Sequence, residues 1–414
     1  MTERELEDGP KKAWRRIPRS IWALGFVSML MDISSEMIHV LLPVYLVSVL
    51  GASALTVGFI EGMADATSSF TKVFSGGLSD WLRKRKTLVL IGYSLAAVTK
   101  PIFPLAQSVD WVIGARFMDR VGKGIRGAPR NALIADICPD DLRGASFGLR
   151  QSLDTVGAFI GPILAIVLML AFAGNFKAVF WVAVIPAFLA VALLIFAVRE
   201  PEDGFSKDRR RPNPISRREL ALLPTAYWGA LALAFVIALA RFSEAFLILK
   251  GQDIGLAFMF IPIVYVIMNI AFALSAYPAG ALSDTAGRKG LLAAGLGFLI
   301  AADIAIALVP GLPGLAIGTV LWGFHLGFTK GVLDALVSDH APARLRGTAF
   351  GLFNLVDGTG LLLASLIAGI LWDQVGPSGT FLTGGALAAL ALIGLPLLIS
   401  KSVNGPKSKT AKGS

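Results

Sequence analysis

GGLSDWLRKRK, at residues 76–86, returns 204 positions later as GALSDTAGRKG at residues 280–290. Downstream of the first copy, LIAD (133–136), Arg143-Gly144 and FGLRQSLD (147–154) return as LVSD (336–339), Arg346-Gly347 and FGLFNLVD (350–357), 203 positions on. Two in-register matches at nearly one offset describe a chain of two like halves. The surrounding sequence sets the class. Of 414 residues, 55% are hydrophobic and 16% charged, against about 25% charge in a soluble domain, and the mean hydropathy is +0.70. Apolar stretches of roughly 20 residues recur almost end to end, the length needed to cross a bilayer as a helix. An ordinary soluble enzyme is excluded.

Hydropathy predicts twelve spans, near 21–50, 55–79, 87–105, 111–135, 145–170, 176–198, 225–249, 257–282, 290–309, 312–337, 347–371 and 379–399. The first follows a basic tail but runs past signal-peptide length, carries Asp32 and Glu36 and lacks a small-residue cleavage site, so it is read as an uncleaved span. The chain divides into a tail (1–20), a six-helix bundle (21–198), a linker (199–224), a second six-helix bundle (225–399) and a tail (400–414). Six is even, so the halves share orientation about an axis along the membrane normal. Most Lys and Arg fall in the tails and the connections of one face, with Lys177 and Lys250 on the other, which puts both termini in the cytoplasm. The net charge of +10 therefore reads as membrane topology, with no nucleic-acid partner. The linker's basic run also suits anionic lipid. Cys138 stands alone, so no internal disulfide or paired-cysteine chemistry is available.

At these motifs the chain resembles the major facilitator superfamily, over nearly its whole length. The family's loop signature between spans 2 and 3, G-x-L-a-D-r-x-G-r-K, is met by Gly76, Leu78, Asp80, Lys84 and Arg85, with Trp81 and Arg83 where Arg and Gly are usual. Its second copy, Gly280, Leu282, Asp284, Gly287, Arg288 and Lys289, fits better. In span 4, the stretch 115–136 is similar to the R-x-x-x-G element of proton-coupled members. Arg116 has the usual distance to Asp136 but meets Arg120 where Gly is expected, whereas Arg120 meets Gly124 but lies a turn closer. Gly157, Gly161 and Pro162 in span 5 resemble the G-x-x-x-G-P element of the antiporter branch. The resemblance implies an all-α fold of twelve transmembrane helices in two pseudo-symmetric bundles. It also implies that spans 1, 4, 7 and 10 line the cavity.

A charge at bilayer depth is costly, so ionisable residues within spans are functional candidates. Asp32, Glu36 and His39 form one stripe on span 1, and Glu61 with Asp65 a second acidic pair on span 2. Two carboxylates a turn apart in a low dielectric do not both ionise cheaply, so one of them should hold a transferable proton. Asp32, Glu36, Glu61, Asp65, Arg116 and Arg120 are the proton-coupling set, with only one of the two arginines expected to reach a mid-membrane carboxylate. His39, Arg241, Glu244, His325, Lys330, Asp334, Asn354 and Asp357 are the solute-binding set. Asp119 with Lys123, Arg150 with Asp154, Arg241 with Glu244 and Lys330 with Asp334 are spaced to neutralise one another along a helix, while Lys100 is expected to snorkel toward the outer interface. Asp80 and Asp284 should meet the helix starts at Arg346 and Arg143. With Lys84, Arg85, Arg288 and Lys289 they would form a conformational latch.

The expected activity is transport of a small solute by alternating access, proton-coupled and in the direction of efflux by antiport. Proton symport of an anionic or zwitterionic metabolite, such as a siderophore or sugar derivative, is the alternative. A sensor or scramblase on the same fold is the reading from another class. Cavity-side spans hold slightly more cations than acids, which suits an anionic solute. No nucleophile–base pair or ligand spacing is legible, so no enzymatic role, cofactor or metal is expected. The expected partners are the solute, protons and the lipid of a bacterial cytoplasmic membrane, and the protein is expected to be a monomer.

Overall fold

The computed structural model of the chain describes residues 16–82, 84–139, 142–199, 220, 222–342 and 345–398, and every regular element among them is helical. The helices build twelve spans. They are span 1, Arg19–Ser48; span 2, Ala54–Leu82; span 3, Arg85–Leu105; span 4, Val109–Ile137; span 5, Arg143–Ala171; and span 6, Phe176–Ala197. The second half holds span 7, Thr225–Asp253; span 8, Pro262–Ala286; span 9, Arg288–Leu308; span 10, Gly311–His340; span 11, Arg346–Gln374; and span 12, Pro377–Leu398. Ten are long and apolar enough to cross a membrane by composition. The two that fall short, spans 2 and 4, carry charges within their apolar stretches, among them Glu61, Asp65, Arg116 and Arg120.

The expected boundaries differ in two instructive places. Span 8 opens at Pro262, not near residue 257, because proline lacks the N–H that a first turn leaves unpaired and has its φ preset for a helix. Spans 1 and 7, read as continuous, are interrupted at residues 40–41 and 241–244. Bundle packing repeats faithfully: span 1 lies against 5 and 6 as span 7 lies against 11 and 12, and 3 against 4 as 9 against 10. Helices in lipid gain nothing from burying apolar surface against one another, so close approach depends on small residues. At the crossing of spans 3 and 4 a Cβ on Gly92 would lie 2.7 Å from the carbonyl oxygen of Gly122. The second half keeps a glycine crossing, where a Cβ on Gly318 would lie 3.0 Å from the Ala302 carbonyl oxygen, and adds an aromatic cluster of Phe242, Phe246, Trp322, Trp372 and Phe381.

The halves meet chiefly along spans 2 and 11, and less along 5 and 8. Their contacts gather at the face opposite the chain ends. There Gln252 donates to Ser48 at 2.9 Å, and the rings of Phe176 and Phe258 lie 6.0 Å apart. Asp373, at the end of span 11, accepts the backbone N–H groups of Ala54 and Leu55, both at 3.0 Å. These are the first residues of span 2, whose opening N–H groups have no partner within the helix. Toward the face bearing the chain ends spans 2 and 11 stay together as far as Val73 and Gly351, and beside them Lys72, Lys330 and Asp334 stand exposed.

Asp373 thus caps the helix of the other half with a charge. Removing a cap costs about 1 kcal/mol, roughly five-fold in an equilibrium. In Asp373→Ala the far face should open more often, and double spin labels at Val49 and Ala257 should show a larger long-distance population. An unchanged distribution means that the cap does not hold the halves together.

Candidate functional site

Span 4 places Arg116, Asp119, Arg120, Lys123, Arg126 and Arg130 within about four turns, and Arg116, Asp119, Arg120 and Arg126 are buried. Charges out of water survive only with partners, and the partners come from every neighbouring helix. Arg116 Nη2 lies 2.7 Å from Glu61 Oε2 of span 2, each side chain 3% exposed. The same oxygen is 3.4 Å from His39 Nε2, and His39 Nδ1 is 3.3 Å from Glu36 Oε2. Glu36, His39, Glu61 and Arg116 therefore form one chain across spans 1, 2 and 4. The His39 ring also meets Tyr265 of span 8 edge-on at 5.5 Å, joining this chain to the other half.

A second network runs beside it. Lys100 Nζ donates to Asp119 Oδ1 and to Ser35 Oγ, both at 2.9 Å, and Arg120 Nε lies 3.5 Å from Asp119 Oδ2. This corrects three expectations. Lys100 is 1% exposed and turned inward, because the glycine crossing brings span 3 against span 4 and supplies a carboxylate closer than any interface. Asp119 is consequently taken by Lys100 and Arg120, and Lys123 stands exposed in the cleft. Both arginines reach a carboxylate, since two different acids lie at their two depths.

Nearer the chain-end face, Arg130 bonds Ser28, donates to Tyr93 at 3.1 Å and lies 3.9 Å from Asp154. Arg126 stacks over the Tyr93 ring at 4.5 Å. Arg150 pairs with Asp154 as its spacing predicts. Asp32 sits where span 5 closes on span 1. A Cβ on Gly157 would be 3.1 Å from that of Asp32, and one on Gly161 would be 2.7 Å from that of Glu36.

In the second half the expected Arg241–Glu244 pair is replaced, because the helix unwinds between them and i,i+3 geometry is lost. Arg241 instead approaches Asp357 of span 11 at 3.9 Å, and Asp357 faces Asp65 across the halves. Lys330 lies over the Phe272 ring at 5.9 Å, with Asp334 exposed one turn on. His325 is fully buried against span 9, its Nδ1 2.9 Å from the Gly295 carbonyl oxygen. Asn354 donates to the carbonyl of Phe350 in its own helix. Among the described residues no group of His, Cys, Asp and Glu is arranged for a metal.

The expected latch carboxylates Asp80 and Asp284, and Arg346, lie outside the described side chains. Lys84 and Arg143 are exposed and Lys289 is partly so. What the structure places there is a repeated pair: Arg85 lies 2.5 Å from Asp136, and Arg288 lies 2.6 Å from Asp339. Each arginine opens its helix and binds the acid ending the next. Arg85 therefore corresponds to Arg288, one position off the motif alignment. Gly287, at φ +84°, takes a turn that favours glycine. The signal was in the sequence, as the acids of LIAD and LVSD.

The sequence profile of the Major Facilitator Superfamily matches residues 24–360 and 245–414. An uncharacterised MFS-type transporter of Methanocaldococcus jannaschii is 34% identical, over 93% of this chain and 95% of that one. A gentisate transporter of Corynebacterium glutamicum is 28% identical, over 84% and 80%. The crystal structure of a mutant of the nucleoside transporter NupG superposes with a TM-score of 0.78 at 12% identity, covering 92% of this chain and all of that one.

Breaking a buried ion pair by removing one member costs about 3–5 kcal/mol, whereas replacing both by apolar groups is often neutral. Lys100→Met alone should lower the melting temperature of the purified protein sharply, and Lys100→Met with Asp119→Leu should restore only part of it, because Arg120 then loses its carboxylate. A double variant as unstable as the single would show that the pair itself supplies the stability.

Proposed function

The chain belongs to the Major Facilitator Superfamily, and from that premise we propose that it carries a small anionic or zwitterionic solute across a bacterial cytoplasmic membrane together with protons. The observation that carries this reading is the division of charge in the cleft. The acids Glu61, Asp119 and Asp154 each have a cation in place, while Lys72, Lys123 and Lys330 stand exposed, with Asp334 the exposed acid beside them. Such a lining attracts a carboxylate or phosphate and repels a cation.

The coupling sense follows from the solute's sign. An anion bound at Lys123 raises the negative charge around Asp32 and Glu36, so solute and proton favour each other's binding, and by reciprocity both gain. At the top of the cleft, a solute carboxylate displaces Glu61 from Arg116 more readily when Glu61 is protonated, because a neutral acid is the weaker acceptor. Both steps describe symport. The gentisate transporter among the relatives agrees with an acidic solute. With the chain ends in the cytoplasm, the described state is open inward, and the break in span 7 beside Arg241 is where the cavity wall would move.

Exchange is the second reading, favoured by the glycines of the antiporter-like element, which press span 5 onto Asp32 and Glu36. Liposomes loaded with a pH-sensitive dye separate the two. For an aromatic or sugar acid added outside, symport acidifies the lumen and exchange alkalinises it. Glu61→Gln should abolish the solute-dependent pH change while leaving solute binding, measured by calorimetry, within about ten-fold of wild type. Solute-driven proton movement that survives in Glu61→Gln removes that residue from the coupling, and a panel in which only cations move protons overturns the anionic reading.

A further inference from the structure

The seam between spans 9 and 10 concentrates buried polar atoms without partners. Asp303 is 0% exposed, and neither carboxyl oxygen has a hydrogen-bond partner among the described residues. On the facing helix, Thr319 Oγ1, Trp322 Nε1 and His325 Nε2 are equally unpartnered, on side chains no more than 1% exposed. They fall at i, i+3 and i+6, one side of span 10. The helices run antiparallel in close contact: a Cβ on Gly318 would lie 3.0 Å from the Ala302 carbonyl oxygen, and one on Gly295 would lie 2.6 Å from the Thr329 methyl. This register sets Asp303 level with Thr319 and Trp322, and His325 further along.

Span 12 completes the chamber with small residues. A Cβ on Gly384 would lie 2.8 Å from Asp303 Oδ2, and one on Gly385 would lie 3.4 Å from Asp303 Cβ. Spans 7, 10 and 12 bring few charged groups to it. Span 12 presents these two glycines, span 10 presents His325, and span 7 presents Phe242 beside Arg241, which turns to Asp357. No cation pairs with Asp303 among the described residues. His325 donates from Nδ1 to Gly295, which leaves Nε2 as an acceptor lone pair on the seam.

The internal repeat sharpens the contrast. At the offset of 203, Asp303 stands where the first half has Lys100, and Trp322 where it has Asp119. The first half fills this position with an ion pair at 2.9 Å, and the second half with an acid that lacks a counter-charge. A bare carboxylate in such a place is too costly to persist, and the group takes up a proton instead.

We propose that the seam between spans 9 and 10 holds a second proton-binding site, centred on Asp303 and separate from the Glu36–His39–Glu61–Arg116 chain. The ligand is the proton itself, carried on the carboxyl, with Thr319 Oγ1 as the acceptor the seam sets level with it. The site stands or falls independently of the solute and of the coupling sense proposed above.

Infrared spectroscopy of the purified full chain, in an ester-free detergent and titrated from acid to alkaline pH, reads it directly. The wild type should show a neutral-carboxyl C=O band that Asp303→Asn loses, Asp303→Glu restores at a shifted frequency and Glu61→Gln retains. The band should disappear on titration before the protein unfolds. If Asp303→Asn removes no such band, Asp303 is ionised and the proposal fails. If the band stays constant at every pH at which the chain is folded, Asp303 is a fixed hydrogen-bond donor and the proposal fails as well. Neither failure touches solute-dependent proton movement in the dye-loaded liposomes, which tests the central chain alone.

Discussion

Inside a bilayer a charge must find its counter-charge within the protein, and span 4 imposes that constraint on everything around it. It carries five cations and one acid between residues 116 and 130, so it cannot satisfy itself. Glu61 comes from span 2, Lys100 from span 3, and Asp154 from span 5, while Ser28, Ser35 and His39 contribute from span 1. Five of the six helices of the first half are thus tied through one. Removing a member leaves its partner buried and unpaired, so the network behaves as a unit and the first half as a rigid body.

The second half solves the same packing problem differently. Its core around Trp322 is aromatic, its span 10 carries fewer charges, and its helix 7 is broken over four residues at the depth of the cleft. The repeat survives at the chain-end face, where Arg85–Asp136 and Arg288–Asp339 join the same pairs of helices in both halves. It is abandoned at mid-depth, where Lys100–Asp119 has Asp303 and Trp322 as its counterparts. Shared structure is kept at the hinge-like ends, and the interior, where chemistry occurs, diverges.

Alternating access needs two faces that close in turn. At the face away from the chain ends, closure rests on Asp373 at the start of span 2, on Gln252 with Ser48, and on Phe176 with Phe258. Just beneath, His39 touches Tyr265 of the other half while bonded to Glu36 and Glu61. These contacts join the buried charge chain of the first half directly to the seam between the halves.

Fold class was legible in the residues alone, because apolar run length and the two-fold motif are local properties of a chain in lipid. Twelve spans, their order and the charged stripe of span 4 all follow from periodicity. So did Arg150–Asp154, which needs only one helix. Pairings between helices were not legible. Spacing along span 4 suggests Asp119–Lys123, but a glycine crossing with span 3 delivers Lys100, and span 7 unwinds where a helical Arg241–Glu244 pair was expected. Nothing in the neighbours of Asp303 along the chain marks the enclosed seam it occupies. Sequence sets which charges must be buried, since that depends on local hydropathy. Tertiary structure alone decides which partner each one meets, because the energy of a buried charge depends on distances of a few ångströms between helices far apart in the chain.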